Sequence, residues 1–372
     1  MRKRVGLVTL YKDNFGSILQ AYSTYNYIKK MKFDCVILED ESTKYGYGKI
    51  KKIFEILCRC IRYKEYFIER KRNRSIWKQE YNLLSYETRR KMEMFVREVF
   101  KVEKCNLKNI QLLNSKYDFF ITGSDQVWNG YDSFKYLVFA DDNKRIALAP
   151  SFGTTEVKEY FKENIIEALN GFEILSSREE SGVNIIKKLT GRDAVRLPDP
   201  TLLLTKDDWI RFSSKGIKKK KYILLHFLNV PNKKAIETIN IYLKNNQYSA
   251  YCICNRYENY EQLLRYKFID INPYDYVSLI YNAEFVFTDS YHSTLFSLNL
   301  EKQFLTFERQ YLHGDSQSSR IRDLLDRIGM KDRYILNDAV VKFEEYGNWR
   351  SSLMFKQDRD KLINYIEKVL ER

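Results

Sequence analysis

The sequence predicts an α/β protein built from two consecutive halves, and three observations lead there. Short β-rich runs alternate with longer segments of helical periodicity. The runs fall into two sets separated by the lysine-rich stretch KGIKKKKY, residues 215–222. The 372 residues, 44% hydrophobic and 15% aromatic, are too many for one compact core and can fill two of ordinary size.

In the first set the strands are expected at RVGLVTL (4–10), FDCVILE (33–39), YDFFITG (117–123), RIALAPS (145–151) and FEILSSR (172–178), with helices between most of them. VRLPDPTLLLT (195–205) carries two prolines in a short span, which suits an irregular crossing rather than a central strand. The lysine run reads as a solvated turn. Beyond it the strands are expected at YILLHFLN (222–229), SAYCICN (249–255), FIDIN (268–272), EFVFTDS (284–290) and KQFLTFE (302–308). The segment 356–372 spaces Leu362, Tyr365, Ile366, Val369 and Leu370 along one helix face. The expected division is an N-terminal domain over 1–205, a C-terminal domain over 206–355 and a closing helix over 356–372.

An insertion at 49–104 stands apart, with 17 Lys and Arg against 8 Asp and Glu. Ile53, Phe54, Ile56, Leu57 and Ile61 punctuate it at helical spacing. Two readings are open: a solvated helical flap packed on the first half, or a peripheral surface resting on anionic membrane, where each nearby cation is worth about 1 kcal/mol.

The net charge of +15 biases the whole surface toward anionic partners. Nucleic acid is not expected among them, because the basic residues are spread along the chain and no DNA- or RNA-binding signature is present. The six cysteines, 35, 58, 60, 105, 252 and 254, lack zinc-loop spacing, so no metal site is expected. The strand-like RVGLVTL follows directly on Met1 and no apolar stretch is long enough to span a bilayer. Together these point to a reducing cytoplasm, with association at the inner membrane face as a further expectation.

Ligands of open α/β sheets sit beyond the carboxyl ends of the strands. The first end, LYKDNFGSILQAY (10–22), offers Asn14, a glycine for close approach at Gly16, and Ser17 as a helix cap beside a modest anion site. The second, ITGSDQVWN (121–129), gathers Ser124, Asp125, Gln126 and Trp128, the last being either a sugar platform or a core residue. The third places Arg178 after an apolar run, suited to phosphate or carboxylate or to a surface ion pair. The fourth, FTDSYHSTLFSLNL (287–300), sets Ser290, Tyr291 and His292 where a helix begins. His292 is one of three histidines in the chain and can serve as acid or base near neutrality. Asp289 beside it either orients the imidazole or caps the helix.

Taken in order, DNFGSILQAY, FFITGSDQVWN, PSFGT, SSREESG, LPDPTLLL and FTDSYHSTLFSLNLEKQFLTF resemble the polysaccharide pyruvyl transferase family. The resemblance implies two Rossmann-like domains facing a cleft, GT-B-like. It also implies transfer of the enolpyruvyl carbons of phosphoenolpyruvate to two sugar hydroxyls as a ketal, with release of phosphate. Phosphoenolpyruvate is then a co-substrate and no cofactor is needed; the acceptor is a sugar of a cell-surface polysaccharide or its lipid-linked precursor. His292 falls on the donor side as acid or base. Some members carry arginine where this chain has Ser290, which leaves Arg178, Arg320 and Arg322 as candidate donor cations, with Gly16, Ser17, Ser290 and Tyr291 around them. Asp125 is the expected acceptor-side base, with Asn14, Ser124, Gln126 and Trp128 as further acceptor contacts. The competing readings are a GT-B glycosyltransferase using a nucleotide sugar and a non-catalytic glycan-assembly protein. The oligomeric state is left open.

Overall fold

The computed structural model describes residues 2–42, 44, 46–72, 84–106, 109–215, 221–253, 263, 266–309, 319–337, 339, 341 and 352–371. The lysines at 218–220 and Cys254 therefore lie outside the described residues.

The first half is a parallel sheet of β1 (Arg4–Val8), β2 (Asp34–Asp40), β3 (Val102–Cys105), β4 (Phe119–Thr122) and β5 (Arg145–Ala147), in the order β3-β2-β1-β4-β5. A separate parallel pair follows, β6 (Leu175–Ser177) and β7 (Ala194–Arg196). The second half is a parallel sheet of β8 (Tyr222–His226), β9 (Ser249–Ile253), β10 (Tyr266–Ile269), β11 (Phe285–Thr288), β12 (Phe304–Phe307) and β13 (Tyr334–Ile335), ordered β10-β9-β8-β11-β12-β13. Helices cover these strands, so the central β4, β8, β11 and β12 are buried at every position and read as continuous apolar runs.

All ten expected strands form. Three others were not foreseen: β3 is half exposed and alternates charge, β7 is partly exposed along its length, and β13 has two residues. Several expected strands ran too far at their carboxyl ends, because the apolar signal continues into buried loops. Gly123 and Asp289 are such loop residues. In the insertion, helices occupy Gly46–Arg62, residues 64–72 and Tyr86–Val99, and its last residues form β3 rather than more flap. Among the described residues no helix is long and apolar enough to cross a membrane.

The closing helix runs Ser352–Leu370 and buries Leu362, Tyr365, Ile366, Val369 and Leu370, the face read from the spacing. It returns to the first half, where the Tyr365 hydroxyl donates to the Ala147 carbonyl of β5 at 2.8 Å. Two doubly wound sheets with the tail crossing back onto the first make a GT-B-like architecture. The largest apolar cluster takes side chains from both halves, with Phe15 stacked on Tyr276 at 4.9 Å and Tyr22 of the first half tilted against Trp209 of the second at 6.0 Å. Each such buried aromatic contributes about 1.5–3 kcal/mol, so the halves are held together directly beneath the site.

Candidate functional site

The strand order of each sheet reverses once, between β1 and β4 in the first and between β8 and β11 in the second. Crevices form at the carboxyl ends of strands at such points, and here the two crevices meet. The helix Phe15–Lys30 follows β1, and Gly123–Gln126 follow β4. From the other side come His226, the last residue of β8, and the helix Tyr291–Asn299 after β11. A Cβ at Gly16 would lie 2.1 Å from His292 Nδ1 and 2.7 Å from its Cβ. Gly16 is therefore glycine because the imidazole of the second half packs onto that backbone.

His292 is 6% exposed, and its Nε2 lies 3.5 Å from Asp199 Oδ2. Asp199 is a hub. Its Oδ1 accepts from the Thr201 amide at 2.9 Å and the Thr201 hydroxyl at 2.8 Å, capping the short 3-10 turn Pro200–Leu203. Its Oδ2 accepts from Arg178 Nη1 at 2.8 Å. Arg178 Nε also donates to Glu179 Oε1 at 2.8 Å, and Nη2 stands 3.8 Å from Asp125 Oδ1. Asp125 accepts from the Ser17 hydroxyl at 2.6 Å and faces Arg320 Nη1 at 3.9 Å. The Tyr291 ring lies under both guanidinium groups, 4.7 Å from Arg178 and 5.6 Å from Arg320.

Burial alone would raise the carboxyls of Asp125 and Asp199, but their neighbours win. His292, Arg178, Arg320 and the Ser17 hydroxyl hold Asp125 below its ordinary range. Asp199 is held lower still by His292, Arg178 and the Thr201 amide. Burial would discharge Arg178, yet Glu179, Tyr291, Asp199 and Asp125 lock it in its charged form. Arg320 is weakened as a cation by burial and by Arg178 beside it. Asp125 and Asp199 therefore stay ionised at neutral pH and are weak bases. Their strength lies in orienting and in charge.

Other expected residues fall elsewhere. Asn14, not Ser17, caps the first helix: its Oδ1 accepts from the Gly16 and Ser17 amides at 2.8 and 3.4 Å, so those amides are already engaged. Trp128 is a core residue, 0% exposed, stacked on Tyr136 at 5.1 Å and walled by Phe152 and Phe172, so no sugar can lie on it. Ser124 is fully buried, its amide donating to Gln20 Oε1 at 3.2 Å, while Gln126 packs against Gly153 and accepts from Asn129. Ser290 caps the helix of His292. Asp289 neither orients His292 nor caps that helix; it accepts from the amides of Leu228 and Asn229 at 2.7 and 3.0 Å and pins the loop after β8. Arg322 pairs with Glu308 at the surface, away from the cluster.

Asp199 and His226 were not foreseen; Glu179 was expected as an ion-pair partner of Arg178, but at the surface, whereas the pair is buried. An Asp-Pro pair is a readable turn signal, but its contact with His292 spans 93 residues of chain and leaves no local trace. His226 sits in an otherwise apolar strand, which was a usable signal. Its Nδ1 is 2.5 Å from Ser293 Oγ, itself 2.8 Å from the Tyr276 hydroxyl. Among the described residues no cluster of three or more His, Cys, Asp or Glu side chains is arranged to hold a metal ion. A cavity of about 290 Å³ opens beside the cluster, with Arg178, Asp199, Tyr291 and Arg320 in its wall. His292 is not part of that wall.

The profile of the polysaccharide pyruvyl transferase family matches residues 14–311. The chain belongs to that family. The matched span holds Asp125, Arg178, Asp199 and His292, whereas Arg320 comes from beyond it. No curated protein was found to match the chain. Solved structures resemble it at low identity. UDP-N-acetylglucosamine 2-epimerase from Rickettsia bellii is 11% identical, with 100% of this chain and 95% of that one covered and a TM-score of 0.49. UDP-GlcNAc 2-epimerase from Methanocaldococcus jannaschii is 14% identical, with 100% and 93% covered and a TM-score of 0.47. MurG from Acinetobacter baumannii is 9% identical, with 100% and 95% covered and a TM-score of 0.44.

Proposed function

We propose that this family member transfers a pyruvyl group from phosphoenolpyruvate to two hydroxyls of a sugar, in a cell-surface polysaccharide or its lipid-linked precursor, on the cytoplasmic side of the membrane. The observation that carries the reading is His292 held between Gly16 and Asp199 where the two crevices meet, with Arg178 and Arg320 alongside. A proton goes from His292 to the donor methylene, C2 becomes an oxocarbenium ion that one sugar hydroxyl attacks, and the proton that this hydroxyl loses returns to His292. The C2–O bond to phosphate then breaks, the second hydroxyl closes the ketal, and its proton leaves with the phosphate. His292 is assigned the first proton transfer, a role worth about 10²- to 10⁴-fold.

Arg320 is assigned to the donor's anionic groups, since it lines the cavity and cationic donors stabilise departing phosphate. Arg178, already bound by Glu179 and Asp199, holds the carboxylates in place instead. The cavity is at the small end of ligand pockets, which run from about 300 to 1,000 Å³.

The protein is to be incubated with phosphoenolpyruvate and extracted lipid-linked glycans, reading the mass gain of a pyruvyl group with phosphate release. His292→Ala should keep the melting temperature and lose transfer by about 10²- to 10⁴-fold. Full activity in that variant would remove His292 from the chemistry, and no mass gain on any glycan would remove the donor.

A further inference from the structure

The helix Gly46–Arg62 shows how the insertion is used. Its inner face packs on the first half: Arg59 Nη2 donates to Asn164 Oδ1 at 3.1 Å, and the Arg59 guanidinium lies 5.0 Å over Phe161. In the next turns Tyr63 and Tyr66 meet Tyr160 at 5.9 and 5.1 Å. The opposite face carries Ile50, Ile53, Phe54, Leu57 and Ile61, spaced as one stripe about 100° wide. A stripe of that kind normally faces a core. Here its members are 65, 47, 67, 54 and 85% exposed, and Phe67 and Ile68 continue the exposure at 56 and 57%.

Charge selects the occupant. Residues 49–72 hold nine Lys and Arg against three Glu. A second copy of the chain docking through the same face would be self-complementary and would set this positive surface against itself. An anionic bilayer covers the apolar stripe and neutralises the bases together, and a basic amphipathic helix lying in the headgroup plane does both.

We infer that the helix Gly46–Arg62 docks flat on an anionic phospholipid surface, with Ile50, Phe54, Leu57 and Ile61 entering the acyl boundary and the neighbouring lysines and arginines at the headgroups. The inference rests on the fold and the charge, not on the reaction proposed above, and its test needs no turnover.

The full chain is to be sedimented with phosphatidylcholine vesicles with and without phosphatidylglycerol, at low and high salt. The expected result is binding to the phosphatidylglycerol vesicles that weakens as salt rises. Phe54→Glu with Ile61→Glu should lower it by at least an order of magnitude. Lys51→Glu with Lys52→Glu should lower it by about fivefold for each charge removed. All four side chains are exposed, and an unchanged melting temperature confirms each variant's fold. Three results would overturn the inference: no binding of the parent chain to anionic vesicles, binding by both double variants undiminished from the parent's, or concentration-dependent dimers that Phe54→Glu with Ile61→Glu abolishes while vesicle binding stays the same. The last would hand the stripe to a second copy.

Discussion

At the junction of the two sheets Asp125, Arg178, Glu179, Asp199 and Arg320 are each less than a tenth exposed, whereas along the helix Gly46–Arg62 five large apolar side chains are half or more exposed, or nearly so. Stability alone favours neither arrangement. Buried ion pairs are often no better than well-packed apolar residues of the same size, and an exposed apolar row is an invitation to association. The two regions break the inside-outside rule in opposite directions, and such departures concentrate where a protein acts. One region keeps charge away from water so that it can be aimed. The other keeps apolar surface in water so that it can be covered by something else.

The strongest way to break that contrast is to remove a charge from the junction. Arg178→Met should cost about 3–5 kcal/mol, because it leaves buried carboxylates without their partner. Urea denaturation measures it, and a loss below about 1 kcal/mol would mean that the junction behaves like an ordinary surface.

A smaller effect lies in the acid limb of stability. Burial first, then Arg309 and His292, push the His226 imidazole down to about 3. An unfolded chain takes that proton near its ordinary value of about 6.5. The stability tied to neutral His226 is therefore complete above that value and is lost as pH falls from there toward 3. Asp125 and Asp199, held low in the fold, act with the same sign in a lower window: their contribution is present above about 3.9 and fades as pH drops through their folded values. Urea midpoints should fall between pH 6.5 and 4.5, and His226→Asn should flatten that portion while leaving the carboxylate portion. A wild-type midpoint flat across the upper window would show that the imidazole is not held neutral.

The sequence was most informative where apolar runs and helix faces govern, and least where distant segments meet. The ten expected strands and the buried face of the closing helix follow from periodicity, which depends only on neighbours. His292 at the start of its helix was readable in the same way, because a strand exit is a local event. Asp199 was not, since its partners Arg178 and His292 are brought to it by two different strands and a crossing. The exchange of roles between Asn14 and Ser17 was also hidden: either can cap a helix, and only the arrival of Asp125 from β4 decides which hydroxyl is needed elsewhere. Trp128 carried an ambiguity that composition cannot resolve, and Tyr136 stacked on its face resolves it.

Arg320 and Arg322 give the smallest and sharpest test of the contrast. Two positions apart on the helix Ser319–Arg327, they point to different sides, since residues i and i+2 do not share a helix face. Arg320 is 7% exposed and faces Asp125; the Arg322 side chain is 49% exposed and holds Glu308 at 3.1 Å. An exposed pair of that kind is worth about 0–1 kcal/mol, so Arg322→Ala should shift the urea midpoint slightly and leave pyruvyl transfer unchanged. Arg320→Ala, which removes a cation assigned to the donor, should lower transfer by about 10²- to 10³-fold. Equal losses in the two variants would mean that the donor's anionic groups reach the surface side of the helix, and would move the donor site out of the junction between the sheets.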